Sequence, residues 1–292
     1  MKVLITGARG QLGLCLQSRI TNDFEAIALS SSELDITSKS MVNHAITTLQ
    51  PDLIVNCAAY TAVDRAENDE KAAYSVNCTG PENLAYAAAI LGIPLIHIST
   101  DYVFDGESKT PYLPESPTAP TSVYGNTKLA GEKAVQAITS KHIIIRTAWV
   151  FSEYGSNFVK TMIKLGSSKD ELGIVADQIG CPTYAGDLAQ LIIMFADKLK
   201  NADFNQYGVY HFCGNKAVSW YDFAKEIFTR QLSVDENYKV PKLNPLSTAQ
   251  FPTAAKRPQY SVLADNSLPL LGLLESSNWR NSLSTVINKL NG

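Results

Sequence analysis

Two side chains near the middle of the chain have a spacing that suits proton transfer. Tyr124 and Lys128 lie four positions apart, in a segment whose apolar residues recur at helical intervals. On a helix, residues four apart share one face, so the phenol and the ammonium can point into the same cleft. A fixed positive charge favours phenolate and brings the phenolic proton within reach of exchange. An isolated pair of this kind is more often a surface pair, so its interpretation depends on the neighbouring elements.

A glycine-rich turn follows the first predicted strand, residues 2–6. Gly7, Gly10 and Gly13 lead from that strand directly into a segment of helical apolar periodicity. The first glycine permits a tight turn, the second lets the backbone approach a pyrophosphate, and the third allows close helix packing. A plain glycine turn is the alternative, but the position immediately after a strand favours binding of a dinucleotide.

The residues after the second predicted strand, 25–29, bear on the choice between NADH and NADPH. An acidic side chain there would accept hydrogen bonds from the adenosine ribose and repel a 2′-phosphate. The sequence instead has serines from Ser30 onward, and Arg9 in the glycine turn can face the phosphate. We therefore expect NADPH, with NADH possible. Asp35 and Ile36 are placed to hold and cover an adenine ring, although Asp35 is also a potential helix cap.

Two further predicted strands end in residues suited to a ligand. Residues 51–56 are followed by Ala58 and Ala59, whose small side chains let a flat cofactor pass close to the backbone. Residues 93–99 are followed by Thr100. Its hydroxyl can hydrogen-bond a carbonyl oxygen while the phenol delivers a proton to that oxygen. A threonine bonded only to backbone is the alternative.

The alternation of strands and helices weakens after the predicted strand at residues 143–147. We expect an α/β protein with a Rossmann-type doubly wound parallel sheet. Residues 1–150 form the predicted dinucleotide-binding domain, which includes the Tyr/Lys helix. Residues 151–292 form mainly a smaller α/β substrate-binding lobe, with some segments crossing back to the first domain. The substrate is then expected in the cleft between them.

Composition excludes several functional classes. The chain has 292 residues, 45% apolar and 18% charged, which is typical of a soluble globular protein. A net charge of -3 without a basic run argues against a nucleic acid or a membrane surface as partner. No leader and no long apolar run is evident, so we expect a cytoplasmic protein. Five widely spaced cysteines without a CxxC pair favour reduced thiols over disulfides or a zinc site.

Longer strings carry a resemblance to a known family. They are NCAAYTAVD at 56–64, STDYVFDG at 99–106, YGNTKLAGE at 124–132, RTAWVF at 146–151, DQIGCPT at 177–183 and RP at 257–258. Together these strings are similar to the dTDP-4-dehydrorhamnose reductases, within the extended short-chain dehydrogenase/reductase superfamily. The resemblance covers nearly the whole chain.

The resemblance implies NAD(P)H-dependent reduction of the C4 keto group of dTDP-4-dehydro-L-rhamnose to dTDP-L-rhamnose. Tyr124 would protonate the new alkoxide, Lys128 would lower the pKa of the phenol and hold the nicotinamide ribose, and Thr100 would bond the substrate oxygen. Further cofactor contacts are implied for Gln11, Leu12, Asp35, Ile36, Ala58, Ala59 and Thr61. The candidates for the dTDP-sugar are Asp101, Tyr102, Trp149, Asn157 and Arg257.

Two of these candidates have a chemical argument of their own. A guanidinium matches the geometry of a diphosphate, which favours Arg257 as its partner. Trp149 has packing of the lobe interface as an alternative role.

Some members of the family are magnesium-bridged dimers with carboxylates on the first helix, whereas residues 14–17 (LCLQ) have none. We therefore expect no metal site, and a monomer or a weak homodimer.

Two other functions stay open at this point. One is a non-enzymatic NADP-binding regulatory subunit, like the β subunit of methionine adenosyltransferase, which has the same fold. The intact set of Thr100, Tyr124 and Lys128 argues against it, because pure binding makes no chemical demand for all three. The other is a different nucleotide-sugar reductase or epimerase, which the residues alone do not separate from the first function.

Overall fold

The computed structural model describes the whole chain, Met1–Gly292. The strands are β1 Lys2–Thr6, β2 Glu25–Leu29, β3 Leu53–Asn56, β4 Leu95–Thr100, β5 His142–Thr147, β6 Val150–Phe151, β7 Glu171–Val175, β8 Ile179–Gly180, β9 Thr183–Tyr184, β10 Gly208–His211, β11 Val218–Ser219 and β12 Lys242–Leu246. The α-helices are α1 Gln11–Gln17, α2 Lys39–Leu49, α3 Val63–Ala66, α4 Glu70–Tyr74, α5 Gly80–Leu91, α6 Val123–Ile138, α7 Phe158–Gly166, α8 Ala185–Lys198, α9 Trp220–Val234 and α10 Trp279–Asn291.

A six-stranded parallel sheet forms the centre of the molecule. Its strand order is β2-β1-β3-β4-β5-β10, and every neighbouring pair is parallel. From β1 the chain first adds β2 on one side and then β3 on the other, so the winding reverses between β1 and β3. This arrangement confirms the predicted doubly wound parallel sheet.

Both faces of this sheet are apolar, as expected for parallel strands that are covered on both sides. Successive side chains of a strand point to opposite faces, and here both sets are buried. Helices α1 and α8 cover one face, and α2, α5 and α6 cover the other. Central members of the two clusters are Ile5, Val55, Ile96 and Ile145 on the first face and Leu4, Ile54, Leu95 and Ile144 on the second.

A π turn interrupts the long helix that supports α6. Residues 70–91 are continuously helical, with the π turn at Ser75–Thr79 between α4 and α5. Pro81 has no N–H and its ring would clash with the carbonyl four residues earlier in a regular helix, and the wider turn just before it relieves that conflict. That carbonyl belongs to Asn77, and a Cβ on Gly131 of α6 would collide with its oxygen. The π turn and the glycine together set how closely α6 approaches.

The second half of the chain builds a smaller layer beside the strand ends. Helices α7, α9 and α10 pack with β7 around Phe223 and Trp279. The remaining strands form three pairs: β7 with β12 and β6 with β9 are parallel, and β8 with β11 is antiparallel. By contrast, β10 extends the central sheet beside β5, and α8 packs on α1. The domain division at residue 150 stays a prediction.

No helix of the structure combines the length and the apolar character that crossing a membrane requires.

Candidate active site

The carboxyl ends of the central strands surround one cavity of about 580 Å³. It lies where the strand order reverses between β1 and β3, which is where open α/β sheets bind their ligands. Its walls come from both halves of the chain. They include residues 10–12, positions between 57 and 63, residues 98–102, residues 147–150 and residues 155–157.

The glycine turn between β1 and α1 forms one wall of the cavity. Gly7 has a φ of +68°, and a Cβ at this position would lie 2.7 Å from the backbone of Cys57 and Ala58. The turn therefore packs directly on the residues that follow β3, which only glycine allows. Helix α1 begins at Gln11 without a side-chain cap at Gly10, so backbone N–H groups of its first turn have no side-chain partner. Such N–H groups are the donors that bind a pyrophosphate.

A buried row of hydrogen bonds aligns the ends of β1, β3 and β4. Thr6 Oγ1 donates to Asn56 Oδ1 at 2.7 Å, and Asn56 Nδ2 bonds His97 Nδ1 at 3.0 Å. The same Asn56 oxygen accepts from the N–H of Ala58 at 3.1 Å. Burial, and to a smaller extent Lys128, lower the pKa of His97 well below its ordinary value. His97 is thus a neutral ring that helps to hold the strand ends in place.

Tyr124 enters the cavity from the first turn of α6. The Ser122 hydroxyl caps this helix by accepting from the N–H of Gly125 at 3.1 Å. Gly125 also approaches the carbonyl oxygen of Tyr102 so closely that a Cβ would collide with it. The rings of Tyr102 and Tyr124 meet edge to face, with centroids 5.4 Å apart. The helix cap and these contacts fix the direction of the Tyr124 side chain.

The protonation state of Tyr124 differs from the sequence-based expectation. Burial raises the pKa of the Tyr124 phenol above its ordinary value, and the nearby Thr100 hydroxyl opposes this effect only in part. The net pKa change is therefore opposite to the one expected from Lys128, because the loss of water around the phenol outweighs other influences; that Lys128 favours the phenolate stays a prediction. Tyr124 therefore keeps its proton at neutral pH, which is the form that a proton donor needs.

Lys128 lies one turn further along α6 and is 1% exposed. Its Nζ donates to the carbonyl oxygen of Ile98 in β4 at 2.6 Å. Burial lowers the pKa of Lys128 to about 8, and the carboxylate of Glu132 partly opposes this. Glu132 itself is held by Arg146 of β5 through two hydrogen bonds of 3.0 and 2.8 Å. This buried pair anchors α6, and with it Lys128, to the sheet.

Thr100 and Asp101 follow each other at the end of β4. The Thr100 hydroxyl donates to Asp101 Oδ1 at 3.0 Å and accepts from the N–H of Tyr102 at 3.2 Å. Both side chains are buried and line the cavity together with Tyr124 and Lys128. The phenol, amine and hydroxyl predicted from two separate segments are therefore brought to one place.

Trp149 lines this cavity and contacts Trp220, which lines a second, mostly apolar hollow of about 470 Å³. Its ring stacks on that of Trp220, with centroids 3.4 Å apart and planes 5° from parallel. Trp149 has a φ of +49°, a strained conformation for a residue with a side chain that costs about 1–3 kcal/mol. The hollow beyond it is lined by Phe158, Met162, Leu165, Leu172, Ile174, Val175, Gln178, Trp220, Phe251 and Arg257, among others.

Arg257 lies at the border of the two spaces. Its Nη2 is 2.6 Å from Asp64 Oδ2, and its Nη1 donates to the hydroxyl of Tyr102 at 3.3 Å. Tyr102 lines the cavity, while Arg257 lines the hollow. The guanidinium has five N–H donors, so these two bonds leave others for a ligand.

At the end of β2 the structure reveals a carboxylate that the sequence analysis missed. Glu33 Oε2 accepts from the N–H of Ser30 at 2.8 Å and from its hydroxyl at 2.6 Å. These bonds, and to a lesser extent Arg9, hold the pKa of Glu33 below its ordinary value. The pattern Ser-x-x-Glu, which is typical of a helix start, was the signal for this contact. Nearby, Asp35 accepts from the N–H and hydroxyl of Thr37 at 2.9 and 2.8 Å, in a local turn.

Asn157 joins the second half of the chain to the glycine turn. Its Nδ2 donates to Gln11 Oε1 at 2.9 Å, and its Oδ1 caps α7 through the N–H of Lys160 at 3.2 Å. The hydroxyl of Ser152 donates to the same Gln11 oxygen at 3.0 Å. Asn157 lines the cavity, but the contacts of its side chain are internal to the protein.

The predicted site residues divide into those that line the cavity and those that do not. Lining it are Gly10, Gln11, Leu12, Ala59, Thr61, Thr100, Asp101, Tyr102, Tyr124, Lys128, Trp149 and Asn157. Outside it lie Gly7, Arg9, Gly13, Ser30, Asp35, Ile36, Ala58 and Arg257. Ile36 is 4% exposed and packs in the core beneath α2 and α5. Lining residues that the sequence did not single out include Val63, Gly155, Ser156 and Leu188.

Comparison with known proteins identifies the family of this chain. The family model for the RmlD substrate binding domain matches residues 1–291. The chain belongs to this family. A dTDP-4-dehydrorhamnose reductase of Aggregatibacter actinomycetemcomitans is 44% identical over 287 residues, which cover 98% of each chain. The resemblance read from the sequence strings is therefore confirmed.

Solved structures of family members share the whole fold. The crystal structure of a dTDP-4-dehydrorhamnose reductase from Clostridium acetobutylicum has a TM-score of 0.92 and 43% identity, with complete coverage of both chains. The enzyme from Bacillus anthracis, solved in complex with NADP, has a TM-score of 0.90 and 40% identity, covering 99% of each chain. The family relationship thus extends over both halves of the molecule.

Proposed function

We propose that the protein reduces the C4 keto group of dTDP-4-dehydro-L-rhamnose to dTDP-L-rhamnose with NADPH, NADH being a possible substitute. The observation that carries this proposal is the meeting of Thr100, Tyr124 and Lys128 in one cavity beside the glycine turn. Family membership supports it, since the relatives from Aggregatibacter actinomycetemcomitans, Clostridium acetobutylicum and Bacillus anthracis, which are 44%, 43% and 40% identical, are named dTDP-4-dehydrorhamnose reductase.

The residues of the cavity fit a dinucleotide. A Cβ at Gly10 would meet only the carbonyl oxygen of Gly7, at 3.2 Å, so the turn is open on the side of the cavity. The uncapped start of α1 offers N–H groups for the pyrophosphate. Gly10, Gln11 and Leu12 would hold that group, Ala59 and Thr61 would line the path of the cofactor, and Lys128 would hold the nicotinamide ribose. When bound, NADPH supplies the hydride that the ketone carbon receives.

The protein's own contribution is at the ketone oxygen. Tyr124, whose pKa burial raises further above neutral pH, gives its phenolic proton to that oxygen as the alcohol forms. Thr100 stabilises the developing negative charge as a hydrogen-bond donor. The positive charge of Lys128 favours the phenolate that Tyr124 leaves behind. Each group is held by a buried support: the cap at Ser122, the Glu132–Arg146 pair and the end of β4.

The nucleotide part of the substrate is assigned to the apolar hollow. Trp220, Phe158 and the half-exposed Phe251 present aromatic surface for a flat pyrimidine base. Arg257, at the border of the two spaces, would bind the diphosphate that joins base and sugar. Trp149 would contact the sugar and keep water from the ketone.

The decisive experiment supplies dTDP-4-dehydro-L-rhamnose and follows the loss of reduced nicotinamide absorbance, with NADPH and NADH in parallel. Consumption of one NADPH per ketone reduced is expected, whereas an epimerase would retain its cofactor and consume none. Tyr124→Phe should reduce kcat by at least about a hundredfold, the low end for loss of a positioned acid. Binding of NADPH without any reduction by the wild type would favour the regulatory-subunit alternative.

The matched control for this variant is Tyr86→Phe. Tyr86 is 44% exposed on α5 and lies outside the cavity, so the same chemical change there should leave kcat unaltered. An unaltered rate in Tyr124→Phe would assign the proton to another group.

A further inference from the structure

Asp101 has an unusual environment for a carboxyl group. It is 3% exposed and forms no ion pair with any cation. Its Oδ1 accepts the hydroxyl proton of Thr100 at 3.0 Å, and its Oδ2 is buried without any hydrogen-bond partner. Burying a charged carboxylate away from water is unfavourable, so burial increases the share of the neutral acid.

The hydrogen bonds of Thr100 show what this carboxyl group controls. A hydroxyl has one proton to donate, and Thr100 gives that proton to Asp101 while accepting from the N–H of Tyr102. An ionised carboxylate can only accept, so it keeps the Thr100 proton for itself. A protonated carboxyl can donate to Thr100 instead, and the Thr100 proton is then free to point elsewhere.

We propose that Asp101 is a positioning residue whose protonated carboxyl donates to Thr100 Oγ1 and so turns the Thr100 hydroxyl toward the ketone oxygen of the substrate. This inference rests on the proposed ketone reduction. No bond to Asp101 is made or broken during turnover: its proton stays on the carboxyl, and the proton gained by the product comes from Tyr124. The ionised form of Asp101 withdraws Thr100 from the ketone and leaves Tyr124 as the donor there.

The surroundings of Asp101 predict the pH at which its carboxyl group changes from donor to acceptor. Burial raises the pKa of Asp101 to about 6, although hydrogen bonds from the hydroxyls of Ser261 and Thr100 and from the N–H groups of Asp101 and Tyr102 oppose this rise. The donating form is therefore present below about pH 6 and is lost as the pH rises through that value. Burial also raises the pKa of Tyr102, to about 12, and that of Tyr124. Cys181, which faces Asp101 from the segment after β8, has a raised pKa through its contact with Cys213. These three groups are neutral in that range.

The cations nearest to the site are engaged elsewhere. Lys128 donates to the carbonyl of Ile98, and Arg257 pairs with Asp64. The two histidines of the surrounding core are neutral, because burial lowers the pKa of His97 and that of His211, the latter to about 4. A titration near pH 6 in this region therefore belongs to Asp101.

The test compares the pH dependence of kcat in the wild type and in Asp101→Asn. The asparagine amide can donate to Thr100 at every pH, as the protonated acid does. We expect wild-type kcat to fall as the pH rises above about 6. The fall should approach tenfold per pH unit if the Thr100 hydrogen bond dominates stabilisation of the ketone oxygen. Asp101→Asn should lack this fall. Asp105→Asn is the matched control. Asp105 accepts a hydrogen bond from the Tyr112 hydroxyl, and its hydrogen bonds, mainly this one, lower its pKa. That variant should keep the wild-type profile.

Two further measurements make the inference independent of a single variant. In a Thr100→Val background, Asp101→Asn should change nothing, because the effect acts through the Thr100 hydroxyl. The infrared C=O stretch of a protonated carboxyl should disappear from the wild type as the pH rises through about 6, and should be absent from Asp101→Asn.

The outcomes separate this inference from the proposed function. If wild type and Asp101→Asn reduce the ketone with the same pH profile, or if no carboxyl band titrates, the role of Asp101 is overturned while the reductase function stands. If Asp101→Asn alters the profile in the Thr100→Val background, the carboxyl acts directly and the inference is again wrong. If the wild type reduces no ketone at any pH, both the proposed function and this inference are overturned.

Discussion

Arg257 and Asp64 form an ion pair of 2.6 Å that joins the two halves of the chain next to Tyr102 of the candidate active site. Their side chains are 28% and 43% exposed, so the pair contributes little to stability. Asp64 also accepts from the N–H of Ala255 at 3.1 Å, which fixes the loop that carries Arg257. The pair therefore orients a guanidinium rather than stabilising the fold.

The first prediction concerns this guanidinium. Arg257→Ala should raise KM for the dTDP-sugar about tenfold to a hundredfold, the loss expected for hydrogen bonds to a charged group, worth about 1.5–3 kcal/mol. Because the diphosphate is bound equally before and during the reaction, kcat should change little. Steady-state kinetics at varied substrate concentration measure both quantities.

Arg65→Ala is the control for the first prediction. Arg65 lies next to Asp64, is 76% exposed and approaches only Asp69, at 4.0 Å. Its removal changes the net charge by the same amount without touching the site. An equal rise of KM in both variants would show that overall charge, and not Arg257 itself, governs binding.

The second prediction follows from the burial of Lys128. Burial lowers the pKa of Lys128 to about 8 from its ordinary 10.5. The pKa of this base is lower in the folded than in the unfolded protein. It therefore destabilises the fold at pH values at which it is charged in both the folded and the unfolded state. This effect is full below about pH 8 and disappears as the pH rises toward about 10.5. The unfolding free energy of the wild type minus that of Lys128→Met should thus increase by about 1.4 kcal/mol per pH unit across that window.

Urea unfolding at a series of pH values measures this difference. Lys133→Met removes an exposed lysine from the same helix and should leave the pH dependence of stability unchanged. A flat difference between wild type and Lys128→Met would mean that the ammonium is solvated, contrary to its burial in the structure. The same Lys128→Met variant should lose most of its reductase activity, because the phenolate of Tyr124 is no longer stabilised.

Much of the fold was predictable because its signals are local. β-branched runs such as residues 143–147 predict buried strands, and the glycine turn after β1 predicts the first crossover. The meeting of the proposed catalytic groups was predictable as well, because Thr100 ends a strand and Tyr124 and Lys128 share a helix face.

The unpredicted features depend on contacts between distant residues. Glu33 folds back on Ser30, which places a carboxylate where the serines alone indicated none. Burial, which no short string encodes, reverses the expected direction of the pKa change at Tyr124. Ile36 packs against Gly80, which has no side chain to fill that space, and the two residues are 44 positions apart. The periodicity of the sequence does not predict contacts between such distant residues.

The third prediction tests how α6 is positioned. Gly131→Ala adds a methyl group that would collide with the carbonyl oxygen of Asn77 in the π turn. Alanine is the better helix former by about 1 kcal/mol, so propensity alone would stabilise the variant. We expect the collision to win, with a net loss of about 1–3 kcal/mol of unfolding free energy and a lower kcat as α6 moves. Chemical denaturation and steady-state kinetics provide the two measurements.

Ala137→Gly is the opposite change at an exposed position of the same helix. It should lower stability by about 1 kcal/mol through propensity alone and leave kcat intact. A stabilised Gly131→Ala variant with full activity would mean that the contact with the π turn does not set the position of α6.

The last prediction concerns the choice between NADPH and NADH. Glu33 accepts hydrogen bonds from the N–H and the hydroxyl of Ser30 at the end of β2, and its negative charge would oppose a 2′-phosphate there. Glu33→Gln should therefore bind 2′,5′-ADP several-fold more tightly while its affinity for 5′-AMP changes little, as measured by titration calorimetry. Arg9→Ala should act in the opposite direction, because its guanidinium is the local counter-charge. Glu25→Gln, an equal change at the exposed start of β2, is the control. Equal gains for both adenosine ligands in Glu33→Gln would show that the carboxylate opposes nucleotides in general and does not select between the two cofactors.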